Sequence, residues 1–221
     1  MPLGDKTEKK GEYAKIVRIA PNAATSKGFQ ATLTLPSAKS FNGDSDFINF
    51  YCGINGFECG ISTGKRIEFY SGGVYKWHWV VAGQTVSGPM DYKDGDQVSI
   101  LLAIDETQGN KLVFRVNQVQ KFITTAAYNA SADNRFMIGA AQSAMYSNGN
   151  LVAWNLTHNQ VTVSAMKYKD TNNVWQTITS ANAAYDSYNT PLSVKPADFP
   201  PISNYTVTAA LGNAMLYAAI K

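Results

Sequence analysis

Arg66, Glu68, Tyr70, Lys76 and His78 stand at alternating positions of one stretch, RIEFYSGGVYKWHWV. Alternation is the period of a β-strand, so residues two apart share a face. A three-residue turn at Ser71–Gly73 would pair Glu68 with Lys76 across the strands and put all five polar groups on one side. The other side would then carry Ile67, Phe69, Tyr75, Trp77 and Trp79. A two-residue turn at Gly72-Gly73 would instead set Trp77 and Trp79 beside Glu68 and Arg66. The segregated arrangement is expected, because the mixed one places Lys76 and His78 among apolar neighbours. Joined by Asn49, Tyr51 and Glu58, the polar side would line a cleft able to hydrogen-bond sugar hydroxyls and pair with uronate carboxylates. The alternative is a solvated outer face with ordinary cross-strand ion pairs.

Both cysteines lie in a second stretch, NFYCGINGFECGI, around one Asn-Gly pair. Asn-Gly between apolar-rich segments predicts a type I′ hairpin, whose two central residues need φ > 0. With Asn55 and Gly56 in the turn, Ile54 faces Phe57, Gly53 faces Glu58 and Cys52 faces Cys59. One side of that hairpin reads Ile48, Phe50, Cys52, Ile54, Phe57, Cys59, Ile61; the other reads Asn49, Tyr51, Glu58, Ser62. Directly opposed residues are within disulfide reach. A Cys52–Cys59 disulfide is expected if the chain is secreted, and two reduced core thiols are the alternative.

Glycoside hydrolysis needs two carboxylates at a defined separation. Of the glutamates Glu8, Glu12, Glu58, Glu68 and Glu106, only Glu58 and Glu68 fall on neighbouring strands and one predicted face. No E-x-D-x-x-E strand occurs. The loops NGDSD (with Asp44 and Asp46) and DYKDGD (with Asp94 and Asp96) are rich in oxygen ligands of the kind calcium takes. They would serve a structural calcium, with Asx-turn chemistry as the simpler reading. No other cofactor is expected.

These groups must be held by strands. Short strand-like segments recur along the chain, among them Gly28–Leu35, Asp46–Asn55, Phe57–Ser62, Gln97–Asp105, Lys111–Asn117 and Gln160–Tyr168. Asn42-Gly43, Ser71-Gly72-Gly73, Asp94-Gly95-Asp96 and Gln108-Gly109-Asn110 punctuate them. This predicts an all-β, antiparallel two-sheet sandwich. A short helical turn is expected within Ile123–Asp133. The Ala-rich C-terminus, split by Gly212-Asn213, reads as a terminal hairpin. Residues 1–11 are expected to be a disordered or cloning-derived lead and 12–221 a single β-sandwich domain.

Composition narrows the partners. The 221 residues carry a net charge of +3 and are 45% hydrophobic and only 16% charged. The four arginines, Arg18, Arg66, Arg115 and Arg135, form no basic stripe, which disfavours nucleic acid. Phe136 to Met166 lacks charge, but Asn, Gln, Ser, Thr and His interrupt it too often for a membrane span. Plentiful Asn, Ser, Thr and Tyr suit a secreted, extracellular protein.

The order of the Cys52 hairpin, RIEFYSGGVYKWHWV and DGDQVSILLAIDETQGNKLVFRVNQVQKF resembles the concanavalin A-like lectin/glucanase superfamily, including its laminin-G-like modules. The resemblance rests on a polar DGD turn, a hydrophobic strand, and a second strand ending in a tight hairpin at Asn117-Gln118. It implies a jelly roll with one concave sheet and carbohydrate binding or polysaccharide cleavage there. FYSGGVYKW is also similar to the YFKAGVYNQ strand of alginate-lyase-like jelly rolls, although their Arg-x-Glu-x-x-Arg strand and Gln-x-His are absent. That likeness implies an elimination in which Tyr70 or His78 acts as base and Arg66 holds the carboxylate. The expectation is a lectin-like module recognising a polysaccharide. A jelly-roll lyase or hydrolase and an adhesion module of an envelope or matrix are the alternatives.

Overall fold

The computed structural model describes residues 13–22, 25–37, 39–41, 46–64, 70–71, 74–81, 85–86, 90–132, 134–142, 146–147, 150–151, 156–179, 181–189, 205–210 and 215–220. Its strands are β1 (Tyr13–Pro21), β2 (Gly28–Thr34), β3 (Lys39–Ser40), β4 (Phe47–Ile54), β5 (Phe57–Gly64), β6 (Tyr70–Ser71) and β7 (Val74–Tyr75). There follow β8 (His78–Val81), β9 (Thr85–Val86), β10 (Gln97–Asp105), β11 (Lys111–Val116), β12 (Val119–Ala127), β13 (Asn134–Gln142) and β14 (Tyr146–Ser147). The last are β15 (Asn150–Leu151), β16 (Thr157–Lys169), β17 (Trp175–Thr177), β18 (Ala183–Asn189), β19 (Tyr205–Ala210) and β20 (Met215–Ile220).

Two antiparallel sheets form the body. The seven-stranded sheet runs β18-β1-β13-β4-β5-β8-β9, and the nine-stranded sheet runs β12-β11-β10-β2-β16-β20-β19, with β3 and β17 also paired to β16. The all-β sandwich expected from strand spacing is the fold observed. Ile48, Phe50, Cys52, Ile54, Cys59 and Ile61 face Phe29, Leu33, Ile100, Leu102, Phe114 and Val163 in one apolar core. The alternation that predicts those faces is the alternation that buries them. The C-terminal hairpin is present as β19–β20.

The segment expected to turn helical at Ile123–Asp133 instead continues β12 to Ala127. Two register shifts against β11 accommodate it. Thr124 Oγ1 accepts from Leu112 N at 3.1 Å and donates to Ala126 O at 2.7 Å, so a side chain fills the gap in the ladder. The β-branched run Ile123-Thr124-Thr125 favours strand over helix. Among the described residues no helix is long and apolar enough to cross a membrane.

Candidate functional site

The site is built on the β4–β5 hairpin. Asn55 (φ 51°) and Gly56 (φ 76°) both take the left-handed conformation a type I′ turn needs. Pairing follows the predicted register throughout: Ile54 with Phe57, Gly53 with Glu58, Cys52 with Cys59, Asn49 with Ser62. Cys52 and Cys59 are free thiols, both buried, so the expected disulfide is not formed here. Counting from the two-residue turn, Cys52 and Cys59 form a hydrogen-bonded pair, the class whose side chains stand further apart. Burial pushes both thiols up from their ordinary range, and the facing cysteine and then Glu58 add to the effect at Cys59. A protonated thiol is a poor nucleophile for oxidation. Thiol titration should therefore find no reactive cysteine in the folded protein and two after denaturation; protein that still shows no thiol when denatured would carry the cross-link.

The opposite face of the hairpin carries the polar groups. The register aligns Asn49, Ser62 and His78 in one row across β4, β5 and β8, with Gly139 of β13 completing it. Tyr51 stands one row further along, opposite Gly60. A Cβ on Gly60 would lie 1.9 Å from Phe50 O and 2.7 Å from Tyr51 Cδ1, so the β4 backbone first and the Tyr51 ring second require glycine here. Ser62 Oγ donates to Tyr51 Oη at 3.2 Å. In the next row Arg135 of β13 and Glu58 of β5 flank Gly53. With no side chain between them, Arg135 Nη2 and Nε reach Glu58 Oε1 at 2.8 and 3.3 Å.

This face is neither an open groove nor a flat solvated sheet. Asn49 is 9% exposed, His78 2%, and Ser62 and Tyr51 are equally enclosed. Glu58 and Arg135 keep about a quarter of their side-chain surface, 24% and 27%, and form an accessible rim. Asn49 Oδ1 is buried without a hydrogen-bond partner among the described residues. A buried acceptor left unpaired costs about 1–3 kcal/mol, so its retention in this row calls for an explanation.

The ribbon that was to supply five of the site residues is different from its expected form. Tyr70 pairs with Tyr75 and Ser71 with Val74, which is the two-residue turn at Gly72-Gly73. The three-residue register is therefore corrected. The ribbon β6–β7 stands apart from the large sheets, and the strand breaks at Trp77, which bridges to Met90 before β8 pairs with β5. Partnership with β5, rather than the turn, therefore decides where Trp77 and His78 go. Trp77 and Trp79 are still on the core side as expected. His78 is buried, against the expectation of a solvent-facing group, and Lys76 is exposed. Arg66 and Glu68 lie outside the described residues, as does the side chain of Tyr70, so the elimination trio and the Glu58–Glu68 pair also fall outside them.

The DYKDGD loop is taken up by its own contacts. Asp94 accepts from Lys39 Nζ at 2.6 and 2.7 Å and from Trp77 Nε1 at 3.0 Å. Asp96 Oδ2 accepts from Lys93 N at 2.8 Å, an Asx-type turn closed by Gly95 at φ 86°. Asp46 is buried, and Asp44 lies outside the described residues. No group of three or more His, Cys, Asp or Glu among the described residues is placed to hold a metal ion.

Two site residues escaped the sequence reading. Ser62 was placed on the right face but given no role. Arg135 reaches Glu58 through the β13–β4 pairing, across 77 positions of sequence, and no local pattern announces it.

Taken with the two-sheet architecture, this makes the protein an antiparallel β-sandwich with a buried polar row on the outer face of its seven-stranded sheet. No family model matches the chain, and no curated protein does. Solved structures do. The Scytalido-glutamic peptidase, solved with a peptide-based transition-state analogue, superposes with a TM-score of 0.57 at 13% identity, over 97% of this chain and 99% of that one. SCP-B, a member of the eqolisin family of peptidases solved with the tripeptide Ala-Ile-His, gives 0.57 at 14% identity over the same shares. A Bacteroides ovatus mixed-linkage glucan GH16 protein solved with its product reaches only 0.40 at 11% identity, over 73% of this chain and 81% of that one. At these identities the likeness to the two peptidases is one of fold alone.

Proposed function

We propose that this chain is a secreted, lectin-like β-sandwich that binds a polysaccharide at the outer face of its seven-stranded sheet, without cleaving it. The observation that carries this reading is the buried row Asn49–Ser62–His78, whose Asn49 Oδ1 has no partner among the described residues. Sugars bring rows of hydroxyl donors, and an unspent acceptor is what such a donor needs. Cleavage is the weaker reading, because Arg135 already holds one oxygen of Glu58.

Asn49→Leu tests the reading. Replacing an unsatisfied buried acceptor with an apolar group should leave the melting temperature unchanged or slightly raised, whereas a purely structural asparagine would lose stability. Binding on a glycan array or to insoluble polysaccharide should fall by about tenfold or more, the loss of one good hydrogen bond in a dry site. Wild-type protein that binds no glycan, neutral or acidic, would end the proposal. A second reading, binding of an extended peptide, is favoured by the extent of the peptidase superposition; it is a fold-level analogy, and a peptide array probed in parallel decides it.

A further inference from the structure

The charge state of the rim bears on which glycan fits, and this inference rests on the binding reading above. Among the described residues the site leaves two oxygen acceptors unspent, and the buried His78 Nε2, which donates or accepts according to its tautomer, is a third atom with no hydrogen-bond partner there. One is Asn49 Oδ1 in the buried row. The other is Glu58 Oε2, since both contacts from Arg135 go to Oε1. Neither Asn49 Oδ1 nor an ionised carboxylate can donate, so a ligand must meet them with O–H or N–H groups. The cation beside them is already used: Arg135 is neutralised by Glu58 at 2.8 Å. Lys76 is exposed, and a fully solvated charge attracts an anion only weakly.

We propose that the site selects uncharged, hydroxyl-rich glycan chains and rejects uronate-bearing ones, with the Glu58–Arg135 pair as the element that sets this choice. Separate hydroxyls of a neutral chain donate to Glu58 Oε2 and to Asn49 Oδ1. A uronate carboxylate in the same place brings only acceptors and a like charge against Glu58. The arginine that would receive it must first break from its partner.

Calorimetric titration with a neutral gluco-oligosaccharide and an oligogalacturonate of equal length tests this on the full chain. Wild-type protein should bind the neutral chain and take the uronate about tenfold more weakly or worse. Glu58→Gln and Arg135→Gln should then move in opposite directions. Glu58→Gln removes the repulsion and the charge that neutralises Arg135, so the uronate gains and the gap closes or inverts. Arg135→Gln leaves the carboxylate uncompensated, so the gap widens. Generic damage to the fold would weaken both ligands in both variants, and melting curves report that separately. Uronate binding equal to or tighter than neutral binding in the wild type overturns the selectivity while leaving glycan binding intact. A ratio that moves in neither variant removes Glu58 and Arg135 from the role. Absence of binding to both oligosaccharides fails the underlying reading as well.

Discussion

Trp77→Ala should destabilise the protein by about 3–5 kcal/mol, the cost of emptying a large aromatic site in a core. Trp77 is 1% exposed and stacks on Phe50 with ring centroids 5.9 Å apart. Its indole N–H donates to Asp94, and the same carboxylate holds Lys39. Lys39 Nζ also lies 5.4 Å from the Trp77 ring centroid, and its side chain is only 7% exposed. Removing the indole therefore opens a cavity and takes one donor from a carboxylate that still holds a largely buried lysine. Trp77→Phe isolates the second effect: it keeps much of the volume, loses the N–H donor, and should cost about 1–3 kcal/mol. Urea denaturation of the three proteins measures both. A Trp77→Ala protein as stable as wild type would mean that the indole does not support the core around Phe50. His78→Ala should also lose stability, by about 1–3 kcal/mol, because the side chain is enclosed; a solvent-facing histidine would have tolerated truncation.

Acid should destabilise the protein in a window set by His158. The ring is buried on β16, with Nδ1 2.7 Å from Asn159 O and Nε2 without a hydrogen-bond partner among the described residues. Its neighbours across the ladder are Lys39 of β3 and Ile220 of β20. Burial holds the imidazole down at about 4, against an ordinary 6.5, and the Asn159 carbonyl offsets only part of that. The sign follows from linkage. Between pH 6.5 and 4 the unfolded chain binds a proton that the native state refuses, so stability is complete above 6.5, falls as pH falls, and levels off below about 4. The full loss is about 3 kcal/mol, at 1.36 kcal/mol per pH unit of displacement. Asp105, Glu106 and Asp170 are held below their ordinary values by hydrogen bonds, led by Thr107, Lys27 and Gln176 respectively. Their contribution is lost at lower pH, as they protonate. Denaturation at pH 7.5 and 4.5 for wild type and His158→Leu separates the two: the difference between the proteins should shrink or invert on acidification. Parallel pH profiles would remove His158 as the cause.

Legibility of this fold from sequence tracked distance along the chain. The β4–β5 register was readable residue by residue because Asn55-Gly56 tolerates positive φ and because alternation admits one buried face. The turn at Asn117-Gln118 was readable for the same reason, with both residues at positive φ and Val116 paired to Val119. Such features are settled by a handful of dihedrals and need no distant partner. The glycine turn at Gly72-Gly73 accepts a two- or a three-residue loop equally well on local grounds. The ribbon pairs Tyr70 with Tyr75 and Ser71 with Val74, while the sides taken by Trp77 and His78 are set outside it, by β8 pairing with β5. Arg135 met Glu58 only because β13 lies beside β4, and that adjacency depends on the apolar area buried by whole sheets rather than on any short pattern. Alternation likewise announced that Asn49, Tyr51, Ser62 and Glu58 share a face. It carried no information on whether that face is covered, because burial is a property of what packs against a strand. The amino-acid sequence by itself thus determined strands, tight turns and which side chains travel together; only the tertiary structure decided that the polar row is enclosed and that Glu58 is paired, because both depend on what packs against the strand.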